Sequence, residues 1–253
     1  MDIEWHNYRQ IEMLNQRGGR TLSVVDLIRA GTIDVEMAAC AMRAVEAGAS
    51  LLTGARPGGA GKTTLMAALL NFLPAEVPLV TVDHPGVITD GLRRGADEPA
   101  CYLAHEIGSG RYLGYIWGRD VADFLALIEG PRRVASCLHA DTLDELSAIL
   151  RSRPLGATPE TLAAVDLIAF MHVDVHGGGY RRRVSAYYEA DGRCGHRLLF
   201  QWDAESDRFR RVGESRDGKA LGPYVDFVER LVEDGQPDSQ EVRRKVLDFY
   251  SRV

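Results

Sequence analysis

Long apolar runs are missing from this chain. No stretch of its 253 residues approaches the ~18 apolar positions that a membrane-spanning helix needs. The first residues, MDIEWHNYRQIEML, hold no basic segment followed by an apolar core, so no secretory leader is expected. Cysteine is scarce: Cys40, Cys101, Cys137 and Cys194 lie far apart and form no C-x-x-C pair. That spacing argues against a zinc site or a disulfide framework and for isolated reduced thiols in the core. A basic excess is also lacking. Lys and Arg number 30 against 36 Asp and Glu, a net charge of −6. A generally nucleic-acid-binding surface is thereby disfavoured, and only a local basic patch stays open. No internal repeat or low-complexity tract occurs. These absences lead to the expectation of a cytoplasmic protein that binds no nucleic acid.

What is present reads as a globular α/β chain, with 45% hydrophobic and 26% charged residues. Residues 1–20 read as a short amphipathic lead-in, and 21–28 as a short helix. Asp34 caps a helix over 35–47, where Met37, Ala38, Ala41, Met42 and Val45 recur at helical spacing. A buried strand follows over 49–53, then a glycine loop, a helix over 63–72 and a second strand over 77–83 ending in Asp83. This order is a βαβ unit with its glycines at the C-terminal end of the first strand. Further on, 101–107 (CYLAHEI) reads as a strand, 121–128 as a helix, and 134–138 as a strand running into His139. Thr142-Leu143-Asp144-Glu145 has the capping-box form, and Thr158-Pro159-Glu160 starts another helix. The pattern then changes. Strands over 165–175, 180–189, 197–202 and 208–212 read as an antiparallel meander, and helices over 222–234 and 239–251 close the chain.

The glycine loop lies within GARPGGAGKTTL, residues 54–65. A phosphate loop turns backbone N–H groups inward, and glycines allow the required φ without a Cβ clash. The next helix aims its N-terminal amides at the anion. Gly58, Gly59, Ala60, Gly61, Lys62, Thr63 and Thr64 supply these parts. Lys62 would reach the β- and γ-phosphates of a nucleotide, and the Thr63 hydroxyl would ligate Mg²⁺. The pattern G-x-x-x-x-G-K-[ST] places its first glycine at position 56, which is Arg56, followed by Pro57. A hydrolase with such a loop also needs an acid at the end of a neighbouring strand. Asp83 and Glu106 both end predicted strands. His139 stands where an imidazole would contact a γ-phosphate, although a lone histidine there also fits a turn.

Together these motifs resemble one family: the ATPases that drive type II and type IV secretion, type IV pili and archaeal surface filaments. The segment TLSVVDLIRAGTIDVEMAACAMRAVEAGASLL, the GKTT loop and NFLPAEVPLVTVD resemble the start of that family's C-terminal motor domain. Asp83, 21 positions after Lys62, matches its acidic "Asp box". LHADTLDEL resembles its "His box", and the segments around HGGGYRRRVSAYYEADG and LFQWDAESDRFRRVG resemble its terminal meander. The resemblance covers residues 21–213. It implies a P-loop NTPase (RecA-like) core with a mainly parallel central sheet, a C-terminal antiparallel meander and terminal helices. It divides the chain into a lead-in (1–20), an ATPase domain (21–215) and a helical appendage (216–253). It further implies ATP and Mg²⁺, with Mg²⁺ held near Thr63 and Glu106. Asp83 and Glu106 would position water, and His139 would sense the γ-phosphate. A hexameric ring docked on an integral-membrane platform protein is the implied assembly.

Three departures from that family are visible. Arg56 replaces the first loop glycine. The Walker B acid has two possible positions: LAHEIGSG offers Glu106, whereas counting back without a gap from His139 reaches Gly114, which brings no carboxylate. Family members also carry an N-terminal domain that donates arginines. Here arginines are expected from this chain or a neighbour, with Arg93, Arg94, Arg111, Arg119, Arg132 and Arg133 as candidates. The rival function is a nucleotide-binding regulatory or adaptor subunit with little hydrolysis. A small-molecule P-loop kinase is a weaker alternative, because it gives no account of the meander.

Overall fold

Helix starts in this chain follow its short polar side chains. A computed structural model describes residues 2–252, apart from 16–17, 95–96, 217–219 and 236. α1 (Ile3–Met13), α2 (Val24–Arg29) and α3 (Val35–Glu46) precede β1 (Leu51–Gly54). Ser23 and Asp26 close a reciprocal capping box at α2, and Asp34 accepts from the Met37 amide at α3. Next come α4 (Lys62–Leu70), β2 (Leu79–Thr81), α5 (Pro85–Arg93), β3 (Ala100–Leu103), β4 (Glu106–Ile107) and β5 (Tyr115–Ile116). α6 (Asp120–Leu125), β6 (Arg132–Leu138), α7 (Leu143–Arg151) and α8 (Pro159–Ala163) follow. The chain ends with β7 (Leu167–His176), β8 (Gly179–Ala190), β9 (His196–Asp203), β10 (Arg208–Arg211), α9 (Gly222–Glu233) and α10 (Ser239–Tyr250).

The main path of the sheet runs β10-β9-β8-β7-β1-β6-β3-β2. From β7 to β2 the neighbours are parallel; from β7 to β10 they are antiparallel. The mainly parallel core and the terminal meander are therefore as expected. β1 lies at the centre, and all four of its residues are buried. Its side chains alternate between faces. Leu51 joins a core under α2, α3, α4 and the two terminal helices, and Leu52 joins a second core under α5 to α8. Parallel strands deliver their C-terminal ends to one edge, so Gly54, Leu103 and Leu138 all end there.

The two chain ends pack together on the first core. Ile11 and Leu14 of the lead-in bury in it beside Val242 and Val246 of α10. Asn7 of α1 bonds the Val77 carbonyl at 2.8 Å and accepts from the Leu79 amide at 2.7 Å. Buried Arg243 donates to both Glu4 oxygens at 2.7 Å and also to the Leu73 carbonyl.

Two differences from the sequence reading stand out. α5 was not expected. Its sequence PGVITDGLR carries two glycines and a proline, and only Ile88 and Gly91 are buried, so little helical signal exists. The strand read as 101–107 is broken in two. Ala104 and His105 separate β3 from β4, where Glu106 begins a new pairing with β5.

Gly54 is fixed by packing. A Cβ there would lie 2.7 Å from both the Ala140 carbonyl oxygen and the Phe170 ring. Both are buried, so neither yields cheaply. Gly54→Ala is expected to cost about 3 kcal/mol, seen as a melting temperature lowered by roughly 10 °C. An unchanged melting curve would contradict this packing.

Candidate functional site

The chain leaves β1 at Gly54 and rises over the C-terminal edge of the sheet. Ala55 N–H donates to the Leu138 carbonyl at 3.2 Å, which ties the loop's start to β6. Gly59 and Gly61 take φ of +81° and +103°, the left-handed region that glycine favours. At Gly58 nothing lies within 4 Å of a Cβ position, so no packing demands glycine there and the space opens on the cavity. Helix α4 begins at Lys62 with no side-chain cap on its first amides. Those free amides and the positive end of the helix dipole make a cradle whose electrostatics favour an anion. The Thr53 hydroxyl braces the cradle from below by donating to the Lys62 carbonyl at 3.2 Å.

Arg56 does not enter the cradle. Its backbone N–H donates to Asp141 at 2.7 Å, and its side chain lies along α7, with Nε 2.7 Å from Glu145. Glu145 accepts from the Asp141 amide at 2.9 Å, so the expected capping box at α7 is only half made: Thr142 caps Glu145 without the return bond. The departure from the loop pattern at Arg56 is thus absorbed by a surface contact with the helix after β6.

Lys62 is buried, and its ammonium donates to the Ala55 carbonyl at 3.2 Å. The Lys62 Nζ is 3.4 Å from Nδ1 of His139. His139 Nδ1 donates to the Arg56 carbonyl at 2.7 Å, and Nε2 lies 3.0 Å from Glu106 Oε1. The Glu106 side chain is only 12% exposed. The Tyr115 hydroxyl also bonds to it; burial first, and the nearby carboxylate second, push that phenol up to about 12, so it remains a donor. Lys62, His139, Glu106 and Tyr115 thus form one polar chain across the mouth of the loop.

Gly114, the other candidate position for the acid, sits behind this chain. Its φ is +75°, its carbonyl accepts from His105 N–H at 2.7 Å, and a Cβ there would strike the His105 ring at 2.6 Å. It does not line the cavity. Thr63 and Thr64 do, and the Thr63 hydroxyl is 3.9 Å from the Cys137 thiol. Burial pushes Cys137 up to about 11, which keeps it a thiol. Cys40 and Cys101 are buried as expected, whereas Cys194 is exposed in the turn after β8.

Asp83 lies apart from the loop. It follows β2, the edge strand, which β3 and β6 separate from β1. Its carboxylate is half exposed, 3.6 Å from His84, and does not line the cavity. Glu106, at the start of β4, is the acid that faces the loop, 3.0 Å from His139.

The loop faces a cavity of about 1020 Å³, roofed by the end of the lead-in and by the β7–β8 hairpin. None of the six arginines expected from the sequence lines it. Arg132 and Arg133 instead hold carbonyls of Gly91 and Val45 in the interior. Among the described residues the arginines present are Arg20, Arg181, Arg182 and Arg183. The run RRR after the HGGG turn was the available signal, because a hairpin at the end of β7 returns its first residues toward the loop.

Among the described residues no helix is long and apolar enough to cross a membrane. No family model matches the chain, and no curated protein does. Among solved structures the chain is similar to the VirB11 ATPase of the Brucella suis type IV secretion system, in complex with sulphate. The identity is 18% and the TM-score 0.43, over 72% of this chain and 61% of that one. It is also similar to the Legionella pneumophila ATPase DotB, at 15% identity and a TM-score of 0.41, over 76% of this chain and 54% of that one. The chain therefore spans less than two thirds of the length of either structure.

Proposed function

We propose that Gly58–Thr64 binds ATP and that Glu106 and His139 act on its terminal phosphate, making the chain an ATPase. One observation carries this reading. A buried lysine without a carboxylate partner among the described residues sits at an uncapped helix start, facing a largely buried carboxylate and an imidazole. The anion supplies the counter-charge that Lys62 lacks. Thr63 and Glu106 fit Mg²⁺, which prefers a few hard oxygens and keeps water and phosphate oxygens as its other ligands. Among the described residues no cluster of three or more His, Cys, Asp or Glu forms a closed metal cage. When bound, the ion neutralises phosphate charge. Lys62 does the same from the protein side, Glu106 orients the attacking water, and His139 couples Glu106 to the loop through the Arg56 carbonyl.

A second reading, a nucleotide-binding regulatory subunit, is favoured by the bonds that Glu106 already makes. Its carboxylate is held by His139 and Tyr115, so it orients water only once His139 turns toward a bound nucleotide. Phosphate release from Mg–ATP separates the two: saturable release supports the ATPase, and binding without release supports the regulatory subunit.

The motif order, with the loop, Glu106 and His139 in sequence, supports service to a secretion or filament machine at a membrane, as a hexameric ring on an integral-membrane platform protein. Light scattering of the purified chain is expected to show a six-chain species when ATP is added. A monomer with and without ATP would contradict the ring.

A further inference from the structure

Arg181, Arg182 and Arg183 stand together near the start of β8, and all three line the cavity. Two of them are neutralised in place. Arg181 donates to both oxygens of Asp174, at 3.1 and 2.5 Å. Arg183 donates to both oxygens of Asp207, at 2.8 Å each. Arg20, across the cavity, holds both oxygens of Asp26 at 2.9 and 2.6 Å.

Arg182 differs. It lies on the opposite face of the strand from its two neighbours. Its Nε donates to the Gly59 carbonyl at 3.0 Å, and its guanidinium is 5.4 Å from the Tyr180 ring centroid. Its stem reaches the loop closely enough that a Cβ on Gly61 would lie 3.4 Å from its Cδ. Among the described residues no carboxylate pairs with it. Of the described lysines and arginines that line the cavity, only Lys62 and Arg182 are in this position. A guanidinium forms two or more parallel bonds to phosphate oxygens, and one held beside a phosphate loop without a counter-ion is poised to accept an anion.

We infer that Arg182 is a second phosphate-binding cation, supplied by this chain's own β7–β8 hairpin. Its Nε holds the Gly59 carbonyl while its free nitrogens carry phosphate oxygens of the nucleotide opposite Lys62. The inference rests on the reading that Gly58–Thr64 holds ATP, and it places an arginine within the same chain.

Calorimetric titration with ATP at low and moderate salt tests it, using wild type, Arg182→Ala, Arg182→Gln and Arg182→Lys. Glutamine keeps a donor for the Gly59 carbonyl but no charge. Both Arg182→Ala and Arg182→Gln are expected to bind ATP about 10- to 30-fold more weakly, since charge-assisted bonds are lost, with a flatter salt dependence. Arg182→Lys restores the charge and is expected to recover the salt dependence. Melting curves of the ligand-free variants identify any that misfold, and the Gln and Lys variants then carry the result. An Arg182→Gln protein that binds ATP like wild type, with the same salt dependence, would overturn the inference and leave Arg182 as a loop brace. Wild type that binds no ATP would overturn the nucleotide reading itself.

Discussion

Lys62→Ala is expected to weaken ATP binding by about 100-fold or more, because two charge-assisted phosphate contacts are lost together. Calorimetric titration reads this directly. The same variant is expected to fold at least as stably as wild type. Lys62 holds a buried charge with only a carbonyl and an imidazole nearby, and alanine is the better helix former at the start of α4. Binding lost without stability lost is the signature of a residue kept for its ligand. A Lys62→Ala protein that binds ATP normally would remove the loop from the site, and one that melts markedly earlier would make Lys62 a structural residue.

The second large effect belongs to Glu106. Glu106→Gln keeps the shape and an oxygen acceptor for His139 and Tyr115, but it removes the negative charge. Phosphate release is expected to fall about 100-fold or more, while the ATP dissociation constant stays within about threefold. Equal turnover in the variant and wild type would take Glu106 out of the chemistry. A parallel loss of binding would assign it to holding the loop together through His139.

The sequence made the loop, the central strand and the motif order legible, because each depends on local chemistry. Left-handed glycines at 59 and 61, the Asp34 and Thr142 caps and the all-apolar start of β1 need no partner from elsewhere. The acid was harder. Glu106 and Gly114 compete in sequence because the chain folds back between them, and the Glu106 amide lies 3.5 Å from the Gly114 carbonyl. The break after Leu103 and the short β4–β5 pair that bring them together carry no periodic signal. Asp83 shows a related limit. Its spacing from Lys62 fits a motif, but its distance from the loop depends on strand order, and β2 lies at the edge. The cavity arginines lie outside the six sequence candidates because their roles depend on partners elsewhere in the chain, such as Asp207 for Arg183 and Gly59 for Arg182.

Single-turnover hydrolysis tests the central claim most directly. Wild-type protein in excess over radiolabelled Mg–ATP isolates the chemical step from product release. The account predicts that bound ATP is converted to ADP and phosphate by wild type, and that it stays intact on Glu106→Gln. ATP recovered intact from wild type after prolonged binding would contradict an ATPase.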